Sequence, residues 1–292
     1  MLLGQPKKGI LALVVLAWTF ATMGVFARYL ATEFALFEQT YLRIGLAFLI
    51  GVIVFYSKCN FKKMRLLPKK DFFVLVGRSI FLYLGVVMIT AAFLQTKYSN
   101  ATFAASLPLM PLLGYALLKE RIKIRTVFYI LLGFFGLTLI VFKDLNLFSI
   151  GYGEMLAFGS LLFFDLSYIG RRLHSDYLNN YESTVFMFAV GSVFLFLTSL
   201  CTGERLPTLN HFSSLTIIAL IGAAVFNIAN LFLTNYGFQN VKVAVAGNIL
   251  TLESVFALLY GIFLFKEIPS LFEWIGSALI LTSVFLVNRS EE

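Results

Sequence analysis

The stretch 248–267, NILTLESVFALLYGIFLFKE, decides how this chain is read. It is apolar along nearly its whole length, yet Glu253 lies inside it. As a helix it rises 1.5 Å per residue and covers about 30 Å, the thickness of a hydrocarbon core. A charge at the centre of such a segment costs roughly 2.5–3.5 kcal/mol on insertion scales, so Glu253 is expected to face protein or water. The end of the stretch, Gly261 to Lys266-Glu267, repeats Gly114 to Lys119-Glu120 at a distance of 147 residues in a chain of 292.

The rest of the chain has the same character. It is 60% hydrophobic and 13% charged, where a soluble domain carries about 25% charged residues. Repeated apolar runs, continuous and not alternating, predict a polytopic helical membrane protein with the lipid bilayer as its first partner. The net charge of +8 comes from basic residues in the loops between runs, which fits membrane topology and not a nucleic-acid surface. Cys59 and Cys201 form no CxxC motif, and no disulfide framework, metal site or cofactor motif is expected. Lys7 and Lys8 precede an apolar run from Ile10 through Phe26 that lacks a small-x-small cleavage site, so it reads as an uncleaved first helix.

Ten spans can be drawn, at about 10–28, 36–56, 72–93, 98–118, 125–142, 152–172, 181–201, 212–235, 241–265 and 269–288. With a cytoplasmic N-terminus, only Arg28, Lys97, Lys143, Arg205 and Lys266 fall outside, while Arg43 and Arg78 lie within spans. Every other Lys and Arg falls inside, including six in the loop SKCNFKKMRLLPKKD (57–71). The positive-inside rule therefore puts both termini in the cytoplasm, in a bacterial inner or plasma membrane.

The echo extends along the chain. Gly9 and Arg28 match Gly153 and Arg172, Glu38-x-Thr40 matches Glu182-x-Thr184, and Gln95 matches Gln239, all offset by 144. The expectation is a duplicated five-span unit, residues 1–147 and 148–292. Five is odd, so the second copy must be inverted relative to the first. Inverted repeats recur in secondary transporters, with the substrate near the midplane between the halves.

In this arrangement the chain resembles the EamA-type members of the drug/metabolite transporter superfamily. LPLMPLLGYALLKERI (107–122) is similar to the family's Pro-containing helix 4 with its acidic end, and LTLESVFALLYGIFLFKE (250–267) to helix 9. TYLRIGLAFLI (40–50) is similar to helix 2. Where the family often has a Pro in helix 9, this chain has Ser254, while Pro108 and Pro111 remain as kink candidates in helix 4. The resemblance implies helices 1, 3, 4, 6, 8 and 9 around a central cavity, and transport of a small molecule, with export the commoner direction.

Several polar residues fall on those helices. Glu253, with Tyr260 seven residues on, reads as a substrate-amine contact or a carrier of a coupled proton, or else as a carboxylate bonded within the bundle. Asp165 lies on a helix-6 stripe with Glu154, Leu161, Tyr168 and Arg172 and reads either as functional or as half of a structural ion pair. Arg78 suits bidentate contact with a substrate anion, against snorkelling to the cytoplasm. Asn227 and Asn230 form a strip with Thr234 that lines a cavity or bonds between helices. Trp18 and Tyr83 offer aromatic surfaces to a substrate, or simply pack the core. Mutual neutralisation of Arg43, Arg78, Asp165 and Glu253 is the alternative that needs no function.

An enzyme is not expected, since no HExxH, GxSxG or Walker motif is present. The residues point to a secondary transporter for a small polar or zwitterionic metabolite such as an amino acid. An accessory or signalling membrane protein is the alternative.

Overall fold

In hydrocarbon each backbone N–H and C=O must find its partner within the protein, and a helix supplies both locally. The computed structural model describes residues 5–96, 101, 104–105, 107–120, 122–141, 151–173, 177–204, 206–208, 211–266 and 268–291, and no strand occurs among them. The first half carries α1 (Pro6–Leu30), α2 (Leu36–Val54), α3 (Lys69–Gln95), the shorter α4 (Met110–Leu118) and α5 (Ile124–Val141). They are followed by α6 (Tyr152–Leu173), α7 (Asn180–Cys201), α8 (Ser214–Asn240), a two-part α9 (Val243–Leu250, then Leu252–Phe265) and α10 (Leu271–Glu291). A single turn of helix, Phe61–Arg65, lies in the basic loop after α2.

Seven helical stretches are long and apolar enough to cross a membrane, in α1, α2, α3, α7, α8, α10 and the two parts of α9 taken together. The other three of the ten expected spans fall short for separate reasons. α4 has only 9 residues because the chain leaves the helix just before it. α5 is apolar but short, over Ile124–Ile140. α6 is 22 residues long but carries Glu154, Asp165, Arg171 and Arg172.

Packing pairs the two halves of the chain. α3 lies along α6, α1 along α8, α2 along α7 and α5 along α10. Moving every helix five places on converts α3–α6 into α8–α1 and leaves the other two pairs unchanged. The close approaches follow the same exchange. A Cβ on Gly9, at the start of α1, would sit 2.7 Å from Val241 Cγ2 and 2.8 Å from Asn240 Cβ. A Cβ on Gly153, at the start of α6, would sit 2.7 Å from Thr96 Cβ. Only glycine lets each helix start press onto the end of its partner.

The Glu38 and Glu182 match also has a physical basis. Each carboxylate caps its own helix, taking the amide of Ala35 at 3.0 Å and of Asn179 at 2.8 Å. Each helix start is also bound by the loop that follows the other helix. Glu204 accepts from the Phe37 and Glu38 amides at 3.1 and 2.8 Å, and Asn60 N donates to Glu182 at 2.9 Å.

Two helices are interrupted at corresponding places. Ala101 and Ala104 are helical, residues 107–109 are not, and α4 starts at Met110 with Pro111 in its first turn. The two prolines thus delimit a break and do not bend a continuous helix, because proline fits a helix start and has no N–H to give an interior. In α9 the break falls at Thr251, with Ser254 in place of proline. There the Thr251 hydroxyl donates to Asn248 O at 2.7 Å, and the Ser254 amide bonds Thr251 O at 3.1 Å in a tighter turn. Past the breaks, α4 and α9 end alike, on Lys119 (φ 54°) and Lys266 (φ 55°), the two non-glycine residues with positive φ among the described residues. Both caps reach back to the repeated glycine, Gly114 or Gly261.

Candidate functional site

The first part of α9 is buried through Val243, Ala244, Val245 and Ala246, and it packs on α1, α4 and α10. The break at Thr251 then opens a new helix start inside the bundle, and Glu253 lies in its first turn, half-buried. A helix start carries partial positive charge and unpaired amides, which suits an acidic group or an anionic ligand. Glu253 has no hydrogen bond or ion pair with the described residues.

Asp165, on α6, is fully buried, and neither of its carboxylate oxygens meets a protein donor. Tyr168, one turn on, stacks on Phe238 at 4.9 Å and lies within electrostatic reach of both Asp165 and Glu253. Two turns further along α9, the Tyr260 hydroxyl bonds Thr22 of α1 at 2.6 Å. Trp18, one turn earlier on α1, is 43% exposed and meets the Phe226 ring of α8 edge-on at 6.0 Å. Asn227 and Asn230 follow Phe226, and Asn227 Nδ2 and Asn230 Oδ1 are buried without a protein partner.

Arg78 has a different setting. It is 3% exposed, and its Nε donates to Ser167 O at 3.0 Å while Nη2 donates to Asn235 Oδ1 at 2.7 Å. Ser167 Oγ returns a bond to Arg78 O at 2.8 Å, and Asn235 Nδ2 continues to Thr184 at 3.2 Å. The guanidinium therefore ties α3, α6, α7 and α8 together. Tyr83 is 1% exposed in a separate core with Ile44, Met187, Phe188 and Ala224. Arg43 is buried on α2, and among the described residues no ion pair joins Arg43 or Arg78 to Asp165 or Glu253. The four charges do not neutralise one another.

At the basic end of the bundle, Arg172 Nη2 bonds Val241 O and lies 3.7 Å from Glu120 Oε1, and Glu120 Oε2 accepts the Val243 amide at 3.0 Å. This contact joins the end of α4 to α6 and to the start of α9. Of the matching residues in the second half, Glu267 lies outside the described residues. So does the 147/148 boundary.

Sequence reasoning missed Asn235, because it is off the Asn227–Asn230 stripe, and Ser167, because its backbone carbonyl does the binding. The repeat was the one signal that singled out Glu120. A separate groove of about 350 Å³ lies between α2 and α8, along Tyr41, Leu46, Leu49, Phe212 and Leu220. Its apolar walls suit a lipid chain and not a polar solute.

Long apolar helices with polar side chains gathered between them define a polytopic membrane protein. The profile of the EamA-like transporter family matches it twice, over residues 7–142 and 151–289, and the chain belongs to that family. A protein of Archaeoglobus fulgidus described as an uncharacterized transporter is 29% identical over 289 residues, covering 97% of both chains. One of Helicobacter pylori with the same description is 26% identical over 289 residues, 92% of this chain and 90% of its own. A solved crystal structure shares the fold, with a TM-score of 0.78 at 18% identity over 99% of this chain and 100% of its own. The protein is a membrane transporter.

Proposed function

We propose that this protein is a secondary active transporter that moves a small polar or zwitterionic metabolite, of the amino-acid class, out of the cell by alternating access. The observation that carries this reading is the interrupted α9. It sets Glu253 on a helix start inside the bundle, within electrostatic reach of the same Tyr168 as Asp165, with neither acid paired to a cation among the described residues. Broken helices whose ends face the interior are how secondary transporters present charge to a substrate and its coupling ion. Glu253 suits the substrate ammonium or the coupled proton, and Trp18, Asn227, Asn230 and Tyr260 suit the rest of the molecule.

The reading includes ten spans in two inverted five-helix repeats, 1–147 and 148–292, with both termini in the cytoplasm of a bacterial plasma membrane. The exchange of packing partners between halves supports it, as do the matched interruptions and the matched caps. The two halves would rock about the α3–α6 and α1–α8 contacts, and the Glu120–Arg172 contact would part when the basic end opens.

The test is exchange in proteoliposomes loaded with an unlabelled amino-acid mixture and offered labelled amino acids one at a time. Saturable exchange of at least one, absent from empty liposomes, is expected. Exchange of none of them, by protein that is correctly folded, would sink the amino-acid assignment.

A further inference from the structure

Asp165 is fully enclosed, and both of its oxygens lack a protein donor. The charged groups on and around α6 are turned elsewhere. Arg78, from α3, is spent on Ser167 O and Asn235. Arg171 donates to Asn180 Oδ1 at 3.0 Å, and Arg172 faces Glu120 at the end of α4. Glu154, at the far end of α6, is engaged by Thr96 and the Gly151 amide. α8 carries no charged residue between Ser214 and Asn240. From α9 only Glu253 approaches, within reach of the same Tyr168 phenol. An isolated carboxylate in such a setting neutralises itself, because burial of the bare charge is far more costly than holding a proton. A metal ion requires several ligands, and no group of three metal-binding side chains occurs among the described residues. A substrate ammonium has no access to a side chain this enclosed.

We propose that Asp165 is a proton-binding site, neutral in the conformation described here and loaded or unloaded when α6 parts from the helices packed on it and water reaches the carboxyl. In the unloading step the Asp165 Oδ–H bond breaks as the proton passes to the lone pair of a water molecule admitted on that opening, which carries it away as hydronium. This rests on the enclosed face of α6 around Asp165 belonging to the transport path. It goes further in separating the acid that stores the proton from the acid that meets the solute.

Infrared spectroscopy of the full chain in lipid vesicles at neutral pH, with no solute added, tests it. The protonated-carboxyl C=O stretch should be present in the wild type, lost in Asp165→Asn and retained in Glu253→Gln. Asp165→Glu should shift that band without removing it, which guards against a variant that fails to fold. A band of unchanged intensity in Asp165→Asn, or no such band in the wild type, overturns the proposal. The spectrum does not depend on transport. Failure of the amino-acid exchange assay with the Asp165 band in place would therefore remove the transport reading and leave the proton site standing.

Discussion

Arg78 and Glu253 are both charged residues inside apolar helices, but their surroundings assign them opposite behaviour. Arg78 uses its fork to satisfy a buried carbonyl and a buried amide. Arg78→Lys keeps the charge but cannot reproduce both contacts, and charge-assisted hydrogen bonds are worth about 1.5–3 kcal/mol each. The expected outcome is a lower thermal midpoint in detergent, with the solute selectivity of the surviving protein unchanged. Unaltered stability with altered selectivity would instead give Arg78 a substrate role. Glu253→Gln should do the reverse, keeping the fold and abolishing proton-linked net transport or amine selectivity, read by comparing exchange with uptake driven by a pH gradient. Normal pH-driven uptake with unchanged selectivity would make Glu253 structural. Tyr83 adds a packing test. A Cβ on Gly191 would fall 1.9 Å from its ring, so Gly191→Ala should cost about 1–3 kcal/mol by overpacking. Tyr83→Phe should be neutral or stabilising, because the hydroxyl it removes is buried without a protein partner.

At the scale of elements, the sequence made the apolar spans legible because hydropathy is local. It marked Glu38 and Glu182 only as a repeated pair, whose capping the structure then showed. Hydropathy reports a helix from its own residues, and Glu38 and Glu182 cap their own starts. The break in α9 was not legible, since without a proline the interruption depends on a Thr251 hydroxyl competing for a backbone carbonyl. Nor was the role of Arg78, whose partners lie 89 and 157 residues away and include a carbonyl that any residue type supplies. Glu120 and Arg172 show the intermediate case, marked by the repeat but paired only in three dimensions. Their contact is half-sheltered at the basic end of the bundle and bridges α4 and α6. Glu120→Gln should weaken that closure with little loss of fold, since Gln retains an acceptor for the Val243 amide. The measurable result is faster labelling of a cysteine placed at Ser167 by a thiol reagent added at the basic end. Labelling as slow as in the otherwise unaltered protein would show that the contact holds no closure.

The whole molecule raises the question of handedness across the membrane. Lys62 and Leu206 are separated by the repeat offset of 144, one in the loop after α2 and the other in the loop after α7, and both are exposed. A parallel duplication would put these equivalent positions on the same face. An inverted one must put them on opposite faces, because an odd number of crossings separates them. The contacts favour inversion, since Asn60 reaches the start of α7 and Glu204 reaches the start of α2, as two antiparallel neighbours require. The experiment places single cysteines at Lys62 and Leu206 in a background with Cys59 and Cys201 replaced by serine. Cys59 has to go even though burial, and then the Glu182 carboxylate, push its thiol up and slow its reaction. In whole cells a membrane-impermeant reagent should label the Leu206 cysteine and spare the Lys62 cysteine until the membrane is opened. The basic loop predicts that order, because its six lysines and arginines hold it on the cytoplasmic side. Labelling of both cysteines in intact cells would put the two loops on one face and break the inverted repeat. Labelling of Lys62 alone would keep the inversion and reverse the orientation of the whole molecule.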